Sequence, residues 1–202
     1  AVAAVLAEPR PVLLVSPTGS GKTAMAMAVL TARSGKALFV VHRRELLLQT
    51  ASILAAAGLR DRVYPTTIQT AVRRATTDDI QTVILDEAHH FASNTWADFV
   101  ALLPADVHRI GLTATPERAD GAALGDIFEA MVVAADYPDL VRDGHLVPCR
   151  VLRPERQLAR GLAQDPVIAY LAHGEGRSGF VYVPRIGEAQ RLADRFNAAG
   201  VP

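Results

Sequence analysis

The stretch VLLVSPTGSGKT, residues 12–23, joins an apolar run to a glycine-rich loop that ends in a lysine and a threonine. The apolar run predicts a buried strand, and KTAMAMAVLTAR at 22–33 predicts a helix that begins where the loop ends. Gly19 and Gly21 allow the backbone to turn so that its amides face one point, to which the start of the helix adds further amides and its dipole. A strand, a loop of this kind and a helix, in this order, predict a site that binds phosphate groups.

The side chains of this loop suit the phosphates of a nucleotide. Lys22 can reach β- and γ-phosphates, and the Thr23 hydroxyl can bind Mg²⁺. The chain contains 19 arginines and only two lysines, so Lys22 is not one of many surface lysines. An ordinary strand-to-helix turn is the competing interpretation, and the order of strand, loop and helix argues against it. The residues predicted to bind the nucleotide are Pro17, Thr18, Gly19, Ser20, Gly21, Lys22 and Thr23.

A second stretch, VILDEAHHF at 83–91, carries two adjacent acids directly after another apolar run. Because charged groups are costly to bury, these acids are expected to have a charged partner, such as a metal ion, or a role in catalysis. At the end of a strand beside the phosphate-binding loop, Asp86 could hold Mg²⁺ against the β- and γ-phosphates. Glu87, one residue further, could orient and deprotonate the attacking water. The pattern therefore predicts one carboxylate for the metal ion and one for proton transfer.

The two histidines of this stretch leave other interpretations open. Two acids and two histidines together could form a transition-metal site, although no further Cys or His cluster lies nearby in the sequence. His89 and His90 could also cap the helix that follows. We favour the capping interpretation for His90.

Apolar runs alternate with helical patterns along the chain as far as residue 145. Predicted strands lie at 12–15, 37–41, 82–85 and 109–113, and predicted helices lie at 22–33, 44–58 and 95–103. Gly35 and Gly58 are predicted to end the first two of these helices. Strands that alternate with helices indicate an α/β fold with a mostly parallel sheet between layers of helices. In such folds ligands bind at the carboxyl ends of the strands, where the stretches above place their polar residues.

The part of the chain after residue 145 differs in composition. The segment 154–178 is rich in Pro, Gly and charged residues and is interpreted as a connector. GFVYV at 179–183 predicts a strand, and 187–200 predicts an amphipathic helix that ends at Gly200. One strand and one helix are fewer elements than a domain of ordinary size contains.

Composition argues against several classes of protein. No apolar run approaches the roughly 18 residues that a membrane span requires, so no membrane partner is predicted. Cys149 is the single cysteine and cannot form an internal disulfide or a Cys-rich zinc site, so we expect a reducing, cytoplasmic compartment. The start, AVAAVLAEPRP, lacks an initiator Met and a basic region, so we expect no signal peptide and a chain that begins within a longer protein.

Charge is balanced over the whole chain but not locally. The formal net charge is zero, so the chain as a whole lacks the electrostatic signature of nucleic-acid binding. The window 42–74 is locally basic, because six arginines face only two acids, Glu45 and Asp61. These arginines are Arg43, Arg44, Arg60, Arg62, Arg73 and Arg74. A solvated surface face is the competing interpretation of this window.

Taken in order, three of these stretches resemble the central motifs of superfamily-two helicases and translocases of the DEAD/DEAH type. SPTGSGKT (16–23) resembles motif I, although the pattern usually opens with Gly or Ala rather than Ser. DEAH (86–89) resembles motif II, and TATP (113–116) resembles motif III. DEAH alone would be a weak signal, and the ordered set at strand ends is a strong one.

Further stretches extend the resemblance over nearly the whole chain. VVHRRELLLQ (40–49) resembles motif Ia, and TTIQT (66–70) resembles motif Ib. FVYVPRIGEAQRLADRF (180–196) resembles the start of the second motor domain. LTATPERADG (112–121) followed by LVRDGHLVP (140–148) is similar to the branch that contains restriction-enzyme translocase subunits and related DNA-repair helicases.

The resemblance implies a RecA-like P-loop NTPase fold with the beginning of a second RecA-like domain. It implies a first motor domain at 1–146, a connector at 147–178 and an incomplete second domain at 179–202. It also implies ATP and Mg²⁺ as cofactors and a nucleic acid as partner, with DNA favoured over RNA on the family branch alone. No oligomeric state is indicated, and the rest of the second motor domain is expected outside this chain.

The resemblance also implies roles at the nucleotide site. The catalytic residues would be Glu87, Lys22, Asp86 and His89, with Glu87 activating water. Thr23 and Asp86 would bind Mg²⁺. These roles agree with the tasks that the residues themselves suggest.

Two further sets of residues would connect the nucleotide site to the second motor domain and to the nucleic acid. Thr113 and Thr115, together with His89, would couple the nucleotide site to the cleft between motor domains. Four residues would lie along the backbone of one nucleic-acid strand, which is recognised by charge and shape rather than by sequence. They are Arg43, Arg44, Thr67 and Gln69. No role follows for Arg118 and Asp120.

Two departures from the family pattern bear on activity. The adenine-reading glutamine motif of this family lies before the phosphate loop, and nothing similar precedes Ser16. The later motifs of the second domain, including an arginine finger, are expected beyond residue 202, and such an arginine can contribute roughly 10³–10⁵ in rate. We therefore predict that this chain binds Mg·ATP but turns it over weakly.

Other functions stay open besides an ATP-driven nucleic-acid motor. An ATP-gated binding module without turnover would be marked by an altered Glu87 or Lys22, and both are intact. A motor on another substrate, such as the protein-export ATPases that share these motifs, is weakly disfavoured by the arginine pairs at 43–44 and 73–74. A P-loop kinase or GTPase is disfavoured because DEAH and TAT lie 27 residues apart (86 to 113) with a strand between them.

Overall fold

The computed structural model describes residues 1–74, 79–90, 98–116, 124–152 and 165–201. The chain folds as two compact units, Ala1–Pro148 and Cys149–Pro202, here called the first and the second unit. The assignment of these units to motor domains, with boundaries at 146 and 178, stays a prediction. Within the described ranges, no helix combines the length and the apolar character that crossing a membrane requires.

The first unit contains a six-stranded sheet in which every paired strand runs parallel to its neighbour. Its strands are β1 (Val12–Val15), β2 (Lys36–Val41), β3 (Val63–Thr67), β4 (Ile80–Leu85), β5 (His108–Thr113) and β6 (Ala130–Val133). Their order across the sheet is β3-β2-β4-β5-β1-β6. The architecture confirms the predicted α/β fold, and strands are present at all four positions predicted for this unit.

Helices cover both faces of this sheet. Those of the first unit are α1 (Val2–Ala7), α2 (Lys22–Ala32), α3 (Glu45–Ala56), α4 (Ile68–Arg74) and α5 (Tyr137–Arg142), with 3-10 turns at Ala88–His90 and Leu124–Asp126. Residues 98–101 are also helical, within the helix predicted over 95–103, whose first three positions lie outside the described residues. The helices α1, α2 and α3 pack on one face of the sheet, and α4 packs on the other.

Strand side chains alternate between two cores, one on each face of the sheet. Along β1, Val12 and Leu14 belong to the core formed with α1, α2 and α3, while Leu13 belongs to the core formed with α4. Along β2, Phe39 and Val40 divide between the two cores in the same way. Because successive strand residues point to opposite faces, an apolar residue at every position is typical of a strand buried on both faces.

The sequence patterns do not predict two of the strands, β3 and β6, and both lie at the edges of the sheet. β3 contains Pro65, which cannot donate a backbone hydrogen bond and is tolerated because an edge strand has one unpaired side. β6 is only partly buried, with Met131 and Val133 each 58% exposed, so it lacks the buried apolar run that marks an inner strand.

The order of the strands corrects one expectation about the acidic stretch. We predict that the strand carrying Asp86 lies beside the phosphate loop, but β5 lies between β4 and β1. The loop is instead tied to the end of β5, where Val15 pairs with Thr113 and the Ser16 N–H donates to the Thr113 carbonyl at 3.0 Å. The first threonine of the TATP stretch therefore lies between the acids and the loop along the carboxyl edge of the sheet.

The two glycines predicted to end helices behave differently. Gly58, with a φ of 68°, follows the end of α3 in the left-handed region, and its N–H donates to the Ala55 carbonyl at 3.0 Å, as in a helix-ending glycine. Gly35 does not cap α2, because Arg33 after the helix is already extended. The φ of 84° at Gly35 instead turns the chain toward β2.

The described part of the second unit contains two helices, α6 (Pro166–His173) and α7 (Ile186–Ala198). α6 begins after Asp165, whose carboxylate accepts from two backbone amides of the first turn at 3.0 and 3.3 Å. The same carboxylate accepts from the Arg195 guanidinium of α7 at 2.6 Å. Part of the segment interpreted as a connector, 154–178, is therefore helical.

The strand predicted at 179–183 is absent, and that prediction was wrong. The segment has no strand assignment in the structure, and Phe180 and Tyr182 are 90% and 91% exposed. A strand needs a neighbouring strand to satisfy its backbone groups, and the described residues of the second unit provide none. The helix predicted over 187–200 is present as α7.

Candidate functional site

The loop after β1 is shaped by two glycines in the left-handed conformation. Gly19 and Gly21 have φ values of 83° and 86°, which residues with a Cβ seldom adopt, and Gly21 is the N-cap of α2. Lys22 is buried, and its Nζ donates to the carbonyls of Ser16 (3.1 Å) and Pro17 (3.2 Å). The lysine therefore lies over the loop, next to the first backbone amides of the helix.

Asp86 follows β4 and is fixed by the backbone of the neighbouring strand. Its N–H donates to the Val40 carbonyl of β2 at 2.9 Å, and its Oδ1 accepts from the Glu87 N–H at 3.1 Å. Burial raises the pKa of Asp86 and the Glu87 carboxylate raises it further, while the Glu87 amide and the Lys22 charge act in the opposite direction. A carboxylate in this situation gains from a nearby cation, because positive charge favours its ionised form. The position therefore fits a ligand of a divalent metal ion.

Glu87 has an unusual backbone conformation. Its φ is 52°, in the left-handed region where residues other than glycine are uncommon and where strain is typical of functional sites. Its side chain is 31% exposed, and its Oε2 lies 3.5 Å from His89 Nδ1. A partly exposed carboxylate beside a histidine is accessible to water, as a general base must be.

His89 joins this glutamate to the end of β5. Its Nδ1 lies 2.9 Å from Thr113 Oγ1. The Thr113 hydroxyl donates to the Thr115 carbonyl at 2.6 Å and accepts from the Thr115 N–H at 3.1 Å. Since the single hydroxyl proton is used in this way, Thr113 Oγ1 accepts from His89, which places the ring proton on Nδ1. The structure thus brings His89, Thr113 and Thr115 together, while their coupling role stays a prediction.

A third histidine, His42, completes a group of rings beside the acids. The ring centroids of His42 and His90 are 4.5 Å apart, and those of His89 and His90 are 4.1 Å apart. The ring of His90 therefore contacts two other rings, and the helix that we predict it to cap begins outside the described residues. The sequence motifs do not single out His42. Its position directly after β2, at the edge where polar residues collect, is the signal that could have identified it.

The residues expected to contact nucleic acid follow the adjacent strands β2 and β3. Arg43, Arg44 and Gln69 are exposed at this edge. Thr67 is only 4% exposed, and its Oγ1 donates to the Thr70 hydroxyl (3.0 Å) and accepts from the Thr70 N–H (3.3 Å) at the start of α4. Thr67 therefore caps a helix, and its side chain is not presented at the surface.

The arginines of the basic window 42–74 do not form a single surface. Arg62 donates to the carbonyls of Leu30, near the end of α2, and Gly35, before the start of β2. These contacts lie at the amino end of β2, whereas Arg43 and Arg44 follow its carboxyl end. An arginine near a helix C-terminus is stabilised by the unpaired carbonyls there. The count of charges in this window therefore overstates the basic surface available to a nucleic acid.

Two other sequence expectations concern metals and unassigned residues. In the parts of the chain that the structure describes, no group of three or more His, Cys, Asp or Glu side chains is arranged to hold a metal ion. A transition-metal site in DEAHH would need such a group, whereas magnesium shared with phosphates needs only one or two protein ligands. Arg118 and Asp120 lie outside the described residues.

The chain matches one family of known proteins over most of its first unit. The family is described as type III restriction enzyme, res subunit, and it matches residues 1–58 and 59–118. These ranges amount to more than half of the 202 residues. They contain every residue of the site described above.

Two curated relatives extend the similarity. The 51.5 kDa protein of a Lactococcus phage (isolate 7-9) is 27% identical, over 94% of this chain and 47% of its own length. The DNA 3'-5' translocase XPB2 of Sulfurisphaera tokodaii is 33% identical, over 60% of this chain and 30% of its own length. The chain thus spans less than half the length of these relatives.

A solved structure agrees on the fold. The UvsW helicase from bacteriophage T4 superposes with a TM-score of 0.57 at 20% sequence identity, over 66% of this chain and 57% of that chain. At this identity the likeness concerns the fold alone, which is that of a RecA-like helicase domain. Because the family model matches most of the first unit, the chain belongs to the type III restriction enzyme res subunit family, among the superfamily-two helicases and translocases.

Proposed function

We propose that this chain binds Mg·ATP and hydrolyses it to drive movement on a nucleic acid, as part of a helicase-type motor. One observation carries the proposal. Lys22, Asp86, Glu87 and Thr113 lie along one edge of the parallel sheet, and His89 lies between Glu87 and Thr113. A nucleotide hydrolase needs this set of groups, because it must hold phosphates, bind a metal ion and activate water.

The loop at 17–23 would hold the phosphates. Gly19 and Gly21 turn its backbone amides inward, α2 adds its N-terminal amides, and Lys22 adds a cation. The Lys22 ammonium donates to two loop carbonyls, and phosphate oxygens are stronger acceptors for the same donors. Thr23 and Asp86 would bind Mg²⁺, which supplies positive charge to the phosphate oxygens.

Glu87 would orient the attacking water and accept its proton. The His89 Nδ1 lies 3.5 Å from Glu87 Oε2, so the ring would limit the positions that this carboxylate can adopt. The same ring contacts Thr113, whose carbonyl accepts at 3.0 Å from the N–H of Ser16, the residue directly before the phosphate loop. These contacts would place the base and the phosphate loop in one connected network.

The nucleic acid would lie across the ends of β2 and β3. Arg43 and Arg44 would bind its phosphates by charge and by paired hydrogen bonds, and Gln69 would add a polar contact. Thr67 would support this surface by capping α4 rather than by touching the strand. We favour DNA because one relative is named a DNA translocase, and RNA is an outcome of the test.

We also propose that turnover by this chain alone is weak. The resemblance implies an arginine finger in later motifs, and such a group contributes roughly 10³–10⁵ in rate. An ATP-gated nucleic-acid-binding module without turnover is the alternative, followed by a motor on another substrate. The cytoplasmic location expected from the lone cysteine stays a prediction.

ATP turnover by the chain, alone and with single-stranded or duplex DNA or RNA, tests this proposal. Glu87→Gln should lower turnover by roughly 10²-fold or more and leave Mg·ATP binding intact, because only the base is lost. Lys22→Ala should lose Mg·ATP binding itself. Glu175→Gln is a matched control, because Glu175 also has a left-handed backbone (φ 51°) but lies in the second unit.

The outcomes separate the proposal from its alternative. Turnover that rises with one nucleic acid and disappears in both site variants would support the motor and name its substrate. Binding of Mg·ATP without turnover under any condition would favour the ATP-gated module. Absence of Mg·ATP binding by the unchanged chain would contradict the proposal.

A further inference from the structure

Three histidine rings are in contact at the carboxyl edge of the first unit. The ring of His90 contacts both others, with its centroid 4.5 Å from that of His42 and 4.1 Å from that of His89. The three residues come from two different strand ends, since His42 follows β2 and the other two follow β4. The contact therefore joins two neighbouring strands through side chains.

This group of rings connects two parts of the proposed site. At one end, His42 immediately precedes Arg43, the first arginine of the proposed nucleic-acid surface. At the other end, His89 lies beside Glu87 and hydrogen-bonds to Thr113. Neither His42 nor His90 has a task in the hydrolysis or in the nucleic-acid contact described above.

We propose that His42 and His90 are positioning residues that hold His89, and through it Glu87, and that transmit to Glu87 the binding of a nucleic-acid strand at Arg43. This inference rests on the proposed function. Neither ring would touch the nucleotide or the attacking water. Each would act through its contact with the next ring.

The hydrogen bonding of His42 supports this role. Its Nδ1 is buried and has no hydrogen-bond partner among the described residues. No hydrogen bond at Nδ1 therefore holds the ring in place, and the ring contacts that of His90. A displacement of His42 would reach His90 and then His89.

Burial and nearby charges favour the neutral forms of His42 and His90. Burial lowers the pKa of both His42 and His90, and other histidines and Arg43 lower it further, while Glu87 acts in the opposite direction. Neutral rings can remain in contact, whereas two imidazolium ions at this separation would repel each other. The contact is therefore compatible with neutral pH.

The backbone provides a second connection at the same edge. The Val40 carbonyl, two residues before His42, accepts from the Asp86 N–H at 2.9 Å. A ring substitution leaves this hydrogen bond in place, because it removes side-chain atoms only. Side-chain variants therefore test the rings separately from the backbone connection.

The test measures the factor by which an oligothymidylate raises ATP turnover by the full chain, because Glu87 would act on hydrolysis and not on Mg·ATP binding. The affinities for Mg·ATP and for a fluorescein-labelled oligothymidylate, measured separately, should stay unchanged in variants that disturb only the position of Glu87. His42→Ala and His90→Ala should each reduce the factor by roughly twofold to tenfold, the size of one ring contact. The double variant should reduce it no further, because rings that act in series fail together. His42→Phe and His90→Phe, which keep a ring, should restore most of the factor.

Controls keep the result interpretable. His173→Ala removes an exposed histidine of the second unit and should leave the factor unchanged. The affinity of each variant for each ligand alone checks that its sites are folded. If an alanine variant does not fold, the phenylalanine variant at the same position still tests whether a ring there is sufficient for the effect.

The outcomes distinguish this inference from the function on which it rests. The inference is overturned if the oligothymidylate raises turnover by the same factor in His42→Ala and His90→Ala as in the unchanged chain. The proposed function would stand in that case, because turnover would still respond to the nucleic acid. Failure of the unchanged chain to bind the oligothymidylate would overturn the inference together with the proposed single-stranded DNA contact.

Discussion

The run VLLV at 12–15 in the first unit and the run GFVYV at 179–183 in the second differ in what surrounds them. Val12 and Leu14 are fully buried, in a strand that lies between β5 and β6. Phe180 and Tyr182 are about nine-tenths exposed, and their segment pairs with no strand in the described part of its unit. An apolar run thus shows that a segment can form a strand, and neighbouring strands decide whether it does.

This difference has energetic consequences. Burial of a large apolar side chain contributes roughly 1.5–3 kcal/mol, and the first unit contains two cores of such side chains. In the described part of the second unit, α6 and α7 are in contact, and the rings of Tyr170 and Phe196 meet edge to face with centroids 5.7 Å apart. Substitutions of the same chemical type should therefore have different effects in the two units.

The largest expected difference is between alanine substitutions at Phe39 and Phe180. Phe39 is 1% exposed, so Phe39→Ala should lower the free energy of unfolding by about 3–5 kcal/mol, because it removes burial and leaves a cavity. Phe180→Ala should change it by less than about 0.5 kcal/mol, because that ring is already in solvent. Urea unfolding followed by circular dichroism measures both, and equal losses at the two positions would contradict the comparison.

A smaller difference is expected between two glycines. A Cβ at Gly111 of β5 would overlap Phe128 Cζ and lie 2.9 Å from Leu13 Cδ1, so Gly111→Ala should lower the free energy of unfolding by about 1–3 kcal/mol. A Cβ at Gly179 would meet no described atom within 4 Å, so Gly179→Ala is the matched control, expected within about 0.5 kcal/mol of the unchanged chain. An unchanged urea midpoint for Gly111→Ala would show that the Phe128 ring moves aside at little cost.

The smallest expected effect is local to the second unit. Asp165→Ala removes the N-cap of α6 and its ion pair with Arg195, so the amides of α6 should exchange faster while those of the first unit keep their protection. Hydrogen exchange read by mass spectrometry measures this, with Asp194→Ala on α7 as control. Unchanged exchange in α6 would show that the cap does not hold the helix.

The same carboxylate gives this effect a pH dependence. The hydrogen bond from Arg195, together with the amides of Val167 and Ile168, holds the pKa of Asp165 below its ordinary value of 3.8. The stabilisation of α6 by the ionised Asp165 carboxylate is therefore present above about pH 4. It is lost as the pH falls through the lowered pKa. At acidic pH, exchange in α6 of the unchanged chain should approach that of Asp165→Ala.

The sequence predicts the positions of the candidate site residues better than it predicts the edges of the sheet. The placement of Lys22, Asp86 and Glu87 at one edge can be predicted because each follows an apolar run, and a parallel sheet brings the ends of such runs together. β3 is missed because Pro65 argues against a strand, and β6 is missed because half of its side chains are exposed. The position of β5 between β4 and β1 depends on pairing between distant segments, which no local pattern contains.

Side-chain surroundings are harder to predict than the positions of residues. Thr67 lies at the end of a strand as its motif implies, yet its hydroxyl turns to α4, because the first amides of that helix need an acceptor. His42 is next to a predicted contact residue, but its ring partner His90 is 48 residues away (42 to 90). Such contacts become visible only when the chain is folded.

The left-handed backbone of Glu87 sets a direction for evolutionary change at this position. For a residue with a Cβ this conformation costs about 1–2 kcal/mol, which glycine avoids and asparagine reduces. Descendants of this chain in which the glutamate has no role would therefore gain stability by exchanging it for glycine or asparagine. A lineage that keeps glutamate there, against the preference of its own backbone, is one in which selection still acts on the carboxylate.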